Sequence, residues 1–259
     1  MAPSWLNPAG GLRYHVRALL GGANWQPFRD SLAVWLAEFE PASGRALLVG
    51  PSAGYTLPDA FLRRFSSLTV LEPDPIAGLL LMRRLRRLGI AELHWEREDL
   101  LIEPLLRGTP GIAARLSADP GLCLVFGNVL GQTSFLLSDA DFDRFKAAFR
   151  AQLWPLLADR SWLSVHDRFS GKLAPGLSSP HRSPTRLIDA AVLELYDANH
   201  ASSSVELFDH QSDGFFPSDS PHSYFTWRIA HDRYHLIEGV MHSAPSQAVD
   251  RPSATRLAP

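Results

Sequence analysis

The sequence lacks most of the features that mark specialised classes of protein. It has a single cysteine, Cys123, among 259 residues, so no intrachain disulfide can form. Cys123 sits in an apolar, strand-like run and reads as a core thiol, which fits a reducing, cytoplasmic setting. An excess of one charge is also missing. The formal net charge of -2 gives no global positive field to gather nucleic acid, so a nucleic-acid partner is not expected. The run Arg83, Arg84, Arg86 and Arg87 spreads around a helix whose buried side is Leu80, Leu81, Leu85 and Leu88, and it reads as a solvated face. No apolar stretch approaches the ~18 residues that span a bilayer, and the start of the chain has no basic segment leading into an apolar one. No membrane span or secretion signal is expected.

What is present is an ordinary globular composition, 46% hydrophobic and 20% charged, enough for one large packed domain. Residues 12–39 read as two helices broken at Gly21-Gly22. The second carries Trp25, Phe28, Leu32, Trp35, Leu36 and Phe39 at three- and four-residue spacings. Pro41 to Gly44 end that pattern. Strand and helix signals then alternate: strands at Ala46–Val49, Leu68–Glu72, Glu92–Glu98, Leu122–Phe126 and Trp162–Val165, helices at 58–65, 76–88 and 139–157. That alternation is the pattern of a parallel sheet covered on both faces. A Ser/Pro/Gly-rich loop over 169–184 and a helix over 185–196 follow. Tyr224–Ile229 and Tyr234–Val240 read as an antiparallel hairpin turning at His231-Asp232-Arg233. The expected organisation is an N-terminal helical cap (1–44), a doubly wound domain (45–242) and a disordered tail (243–259).

Two strand ends carry the first chemical signals. After the first strand comes Gly50-Pro51-Ser52-Ala53-Gly54, a turn that brings backbone N–H groups close to a ligand because glycine has no Cβ. Thr56 is the expected cap of the helix that follows, with Asp59 as its partner. The second strand ends in Glu72-Pro73-Asp74, about 20 residues on, where an acid can accept both hydroxyls of a ribose. Either acid can do this; Glu72 ends the apolar run directly.

With Glu98-Asp99-Leu100 after the third strand and Leu122 to Gln132 around the fourth, these segments resemble the class I S-adenosylmethionine-dependent methyltransferases over roughly residues 25–240. The resemblance implies a Rossmann-like, mostly parallel seven-stranded sheet with an antiparallel C-terminal hairpin, S-adenosylmethionine as cofactor, and methyl transfer. It implies contacts to the methionine portion from Gly50, Pro51, Ser52 and Gly54, to the ribose from Glu72 or Asp74, and to the adenine from Asp99 and Leu100. Asn128 would stand beside the transferred methyl. Family members commonly carry an acid and a further glycine where this chain has Leu48 and Ser52. Those departures leave open another transfer from the same cofactor, such as the aminocarboxypropyl group, or a non-catalytic partner subunit.

The acceptor side is less marked, and a small molecule is the expected substrate. Asn128 either positions a nucleophile or caps the turn after the fourth strand. His166 and Asp167 close the fifth strand as candidate bases, and alternation puts only one of them on the cleft face. Tyr14 and Arg17 on the first helix are placed to cover the cofactor. His200 and His210, in the polar stretch 199–216, are candidates for a substrate-binding loop. No tight ligand spacing supports a metal there, so none is assigned. His231, His235 and His242 read as structural or exposed.

Overall fold

The computed structural model describes residues 11–200 and 206–244, with backbone alone at position 13 and over 197–200. Helices α1 (Gly11–Leu20) and α2 (Gly22–Ala37) precede β1 (Arg45–Val49), α3 (Asp59–Leu62), β2 (Ser67–Leu71), α4 (Pro75–Arg87) and β3 (Glu92–Glu96). Then follow α5 (Ile102–Arg107), α6 (Ile112–Ala118), β4 (Cys123–Gly127), a 3₁₀ turn over Leu130–Gln132, α7 (Thr133–Leu136), α8 (Asp139–Leu157) and β5 (Trp162–Gly171). The remainder is β6 (His181–Ser183), α9 (Asp189–His200), β7 (Leu207–Asp209), β8 (His222–Ala230) and β9 (Arg233–His242).

All described strands join one sheet in the order β3-β2-β1-β4-β5-β9-β8-β6, with β7 paired to β5. The pairs among β1 to β5 are parallel, and those made by β6 to β9 are antiparallel. This is the Rossmann-like, doubly wound architecture that the alternating pattern predicts. It has nine strands rather than seven, because the loop expected over 169–184 and the polar stretch after it contribute the short β6 and β7. β5 runs on to Gly171, ten residues in place of the expected Trp162–Val165, since the antiparallel β9 and β7 give its second half partners that a parallel neighbour would not.

β1 shows why the sheet is buried on both sides. Ala46 and Leu48 pack into the core formed with α2, α3 and α4, while Leu47 and Val49 pack into the core beneath α5, α6 and α8. Alternate side chains point to opposite faces, so a strand apolar at every position needs helices above and below.

α2 is not a separate cap. Its buried Trp25, Phe28, Leu32 and Trp35 belong to the main core. Phe28 stacks on Trp227 of β8 at 5.1 Å between ring centroids, and Trp25 meets the same indole edge-on at 4.8 Å. Thus α2 covers the antiparallel half of the sheet as α4 covers the parallel half, and α1 lies beyond it toward the strand ends. The expected disordered tail falls, over 245–259, outside the described residues.

Candidate functional site

A cavity of about 200 Å³ opens at the carboxyl ends of β1, β2 and β4, beside the switch between β1 and β4. Ligands collect there in doubly wound sheets because neighbouring crossovers run to opposite faces and leave a crevice. Its floor is the turn after β1. Gly50 has φ +60° and a Cβ there would sit 2.6 Å from Val129, so both the conformation and the close approach require glycine. Ser52 also has φ 52°, a left-handed conformation that costs a serine about 1 kcal/mol. The serine therefore takes a backbone shape that glycine adopts freely, while Leu48 is simply buried core.

Arg84, one of the run read as solvated, clamps this turn. Its guanidinium donates to the carbonyls of Gly54 and Leu57, the latter at 2.6 Å, and its Nε donates to Asp59 at 2.9 Å. A rigid fork suits that triple task. Thr56 does not cap α3, whose N-cap is Pro58 without a side-chain bond; Thr56 lines the cavity instead.

Glu72 forms the next wall. It is 6% exposed, and its two oxygens accept from the backbone N–H of Ser52 at 2.7 Å and of Asp74 at 3.0 Å. Its backbone is braced from behind: the indole of Trp95 donates to the Glu72 carbonyl at 2.9 Å. That indole crosses α4 at Gly78, where a Cβ would lie 2.2 Å from the ring. Burial pushes the Glu72 carboxyl up to about 7, against the two backbone hydrogen bonds that favour its charged form. A raised carboxyl favours the folded state most below its unfolded value of about 4.5, and that contribution is lost as pH rises through about 7. The site thus holds a desolvated carboxylate with lone pairs to spare. Asp74 also lines the cavity. One of its oxygens caps α4, accepting from Ile76 at 2.8 Å and Ala77 at 3.3 Å, and the other lies 3.5 Å from His15.

Asp99 and Leu100 are not brought to this site. Asp99 is exposed and its oxygens accept the amides of Leu101, Ile102 and Glu103 at 2.9, 2.8 and 2.9 Å. It ties down the free amides at the start of α5, whose N-cap residue is Leu101, a role that competes directly with binding an adenine amino group.

The far wall is organised by Asp167, fully buried at the end of β5's parallel stretch. One oxygen accepts from Asn128 Nδ2 at 2.9 Å and Gln132 Nε2 at 2.6 Å; the other contacts His235 Nδ1 at 2.7 Å. Its own N–H donates to Asn128 Oδ1 at 2.8 Å. Burial alone would raise this carboxyl, but His235 and His210, with the hydrogen bonds from His235 and Asn128, hold it well below the usual carboxylate range. Asn128 and Gln132 both line the cavity, and Asn128 has the left-handed φ of 69°. Strain of this kind is kept only where surroundings fix it, and here the two-way bond with Asp167 does so.

Several candidates fall elsewhere. His166 points to the opposite face, buried, with Nδ1 2.8 Å from Ser164 Oγ and Nε2 3.5 Å from Glu238. Strand alternation, which put only one of His166 and Asp167 on the cleft face, assigns that place to Asp167. His210 is 2% exposed and uses both ring nitrogens, on the Gly131 carbonyl at 2.7 Å and Ser170 Oγ at 3.0 Å. It supports the wall rather than meeting a substrate, and burial lowers its basicity. Arg17 is exposed on α1 and outside the cavity lining, whereas Tyr14 is in it. The side chain of His200 lies outside the described residues. His235, expected to be structural or exposed, is the residue that sequence reasoning missed; its partner Asp167 is 68 positions away.

No family model and no curated protein matches the chain. Solved structures do match, methyltransferases among them. The methyltransferase domain of bacterial CtHen1 aligns at 11% identity over 55% of this chain and 66% of that one, TM-score 0.34. A methyltransferase from Thiobacillus denitrificans with S-adenosylhomocysteine aligns at 16%, over 54% and 49%, TM-score 0.34. Magnesium protoporphyrin IX methyltransferase from Synechocystis with bound S-adenosylhomocysteine aligns at 12%, over 85% and 84%, TM-score 0.40. The chain spans about half to two thirds of the length of the first two. At these identities and TM-scores no residue role and no activity is taken from the likeness. No described helix is long and apolar enough to cross a membrane.

Proposed function

We propose that this chain binds S-adenosylmethionine in the cavity over the Gly50 to Gly54 turn and transfers its methyl group to a small-molecule nucleophile. The observation that carries this reading is Glu72: a buried carboxylate, held by amides from two different loops, facing the same cavity as the turn and Asn128. Each oxygen keeps a lone pair for a ribose hydroxyl. Gly50, Pro51 and Ser52 line the space for a methionine moiety, whereas Gly54 lies outside the lining and faces Leu81 and Arg84. A dinucleotide fits poorly, because its fingerprint calls for glycine where Ser52 and Tyr55 stand.

The bound sulfonium supplies an electrophilic methyl; everything else falls to the protein. Methyl transfer depends on alignment and on excluding water more than on a marked catalytic group. Tyr14, Phe28, Trp227, Val165 and Ile237 give the cavity its apolar wall. Asn128 is locked by Asp167, so its orientation is set before any ligand arrives. The cavity is smaller than the roughly 300–1,000 Å³ of ordinary ligand sites, so part of a methionine nucleoside occupies its open mouth beside α1.

Product analysis tests the transfer. With S-adenosylmethionine and a panel of small amines and alcohols, mass spectrometry is expected to find S-adenosylhomocysteine and methylated acceptor. Accumulation of methylthioadenosine instead would replace methyl with aminocarboxypropyl transfer, and neither product from any acceptor would favour a non-catalytic role.

A further inference from the structure

We propose that Asp167 and His235 form the general base of this site and that its acceptor is an amine. The assignment rests on the methyl-transfer reading above. The carboxylate of Asp167 receives donors from Asn128 and Gln132 on one oxygen, leaving the other to the imidazole Nδ1 at 2.7 Å. An ionised carboxylate only accepts, so Nδ1 carries the proton and Nε2 carries the lone pair. Nε2 has no hydrogen-bond partner among the described residues, and the His235 side chain keeps 13% of its surface exposed. A carboxylate fixing one nitrogen of an imidazole while the other stands free is the arrangement that makes histidine a directed base.

The pair stands on the cavity side of the sheet, outside the lining itself and joined to it through Asn128 and Gln132. Val165 and Ile237, both in the lining, lie two residues before Asp167 and two after His235, and alternate residues of a strand share a face. Trp227, also in the lining, has its ring 5.8 Å from the imidazole. A bulge in β5 between Asp167 and Phe169 lets the carboxylate reach a residue that is not its direct pairing partner. Of the other titratable neighbours, His210 has both nitrogens engaged, and burial together with Asp167 pushes the Tyr14 phenol up, so neither serves.

Charge selects the acceptor. Glu72 and Asp74 line the cavity, Asp167 lies behind its far wall, and no basic side chain among the described residues is in the lining. Carboxylates and phosphates are repelled, whereas an ammonium gains both the field and the aromatic faces of Tyr14, Phe28 and Trp227. An ammonium has no lone pair to donate. One N–H bond must break, its electron pair remaining on nitrogen, while the proton passes to His235 Nε2. The resulting imidazolium is held by the Asp167 carboxylate and returns the proton to water at its exposed edge.

Asp167, His210 and His235 also place ligand atoms within 4.8 Å of one another, as a metal site would. The Asp167–His235 contact is at hydrogen-bond length, and both His210 nitrogens are already used.

Long-range proton–nitrogen NMR of histidine-labelled protein tests the proposal without cofactor. His235 is expected as the Nδ1–H tautomer, with its Nε2 resonance shifting on addition of phenethylamine and not of 3-phenylpropanoate. An Nε2–H tautomer, an equal response to the carboxylate, or loss of the Nδ1 proton on stoichiometric zinc would overturn it. His235→Gln is expected to lower kcat/KM for phenethylamine methylation by about 100-fold or more, with S-adenosylhomocysteine affinity kept within about threefold. Amine turnover within about threefold of wild type would also overturn it. If wild type binds no S-adenosylhomocysteine, the cofactor reading fails instead, and the tautomer and amine response still decide the base.

Discussion

Glu72→Ala is expected to weaken S-adenosylhomocysteine binding by about 100-fold or more, with a change in folding stability of no more than about 2 kcal/mol. A hydrogen bond to a charged group contributes about 1.5–3 kcal/mol. A carboxylate serving two ribose hydroxyls therefore carries roughly 3–6 kcal/mol, or two to four decades in affinity. Two smaller effects on folding oppose each other. Truncation leaves the amides of Ser52 and Asp74 without their acceptor, but it also removes a carboxyl that burial has made costly to ionise at neutral pH. Calorimetry gives the affinity and urea unfolding the stability. An unchanged affinity would move the ribose to Asp74, whose second oxygen now faces His15.

Asp167→Ala is expected to cost about 3–5 kcal/mol of unfolding free energy at pH 7, the range for breaking a buried, paired charge. The loss is large because one carboxylate satisfies Asn128, Gln132 and His235 together. Alanine leaves each of them with an unmet donor and releases the strained Asn128. A carboxyl held below its ordinary range contributes fully above its unfolded value of about 3.9, and the contribution is lost only as pH falls through the lower, folded value. The deficit should therefore be present throughout the neutral range in urea titrations. A cost below about 1 kcal/mol would show that the network is incidental to the fold.

In the parallel half of the sheet β1, β2 and β4 were readable because each is a short, largely apolar run, so burial and punctuation agree, whereas β3, ELHWE, carries no buried position. Glu72 was readable for the same reason, as the first polar residue after a buried strand. Asp99 misled because an acid at a strand end and an acid at a helix start look alike. The succeeding Leu101 and Leu105, at helical spacing, mark the cap. His210 misled differently: a polar stretch resembles a binding loop, yet this one is pinned to β5 through β7, and its histidine is turned inward onto Gly131. The Asp167–His235 pair lay beyond local reading. It depends on the register of β9 against β5 and on a bulge, and neither leaves a periodic trace in the sequence. β6 and β7, with three residues each, are too short to show any alternation.

The central claim is that the cavity over the Gly50 turn holds S-adenosylmethionine through an ionised Glu72. Calorimetric titration of wild-type protein with S-adenosylmethionine near pH 6.5, in two buffers of different ionisation enthalpy, tests it most directly. Burial pushes the Glu72 carboxyl up to about 7, and hydrogen bonds from ribose hydroxyls would favour the charged form. The account predicts one-to-one binding that releases a fraction of a proton, with affinity rising as pH increases through 7. Absence of binding at about 1 mM ligand, where even about -4 kcal/mol would register, would contradict it.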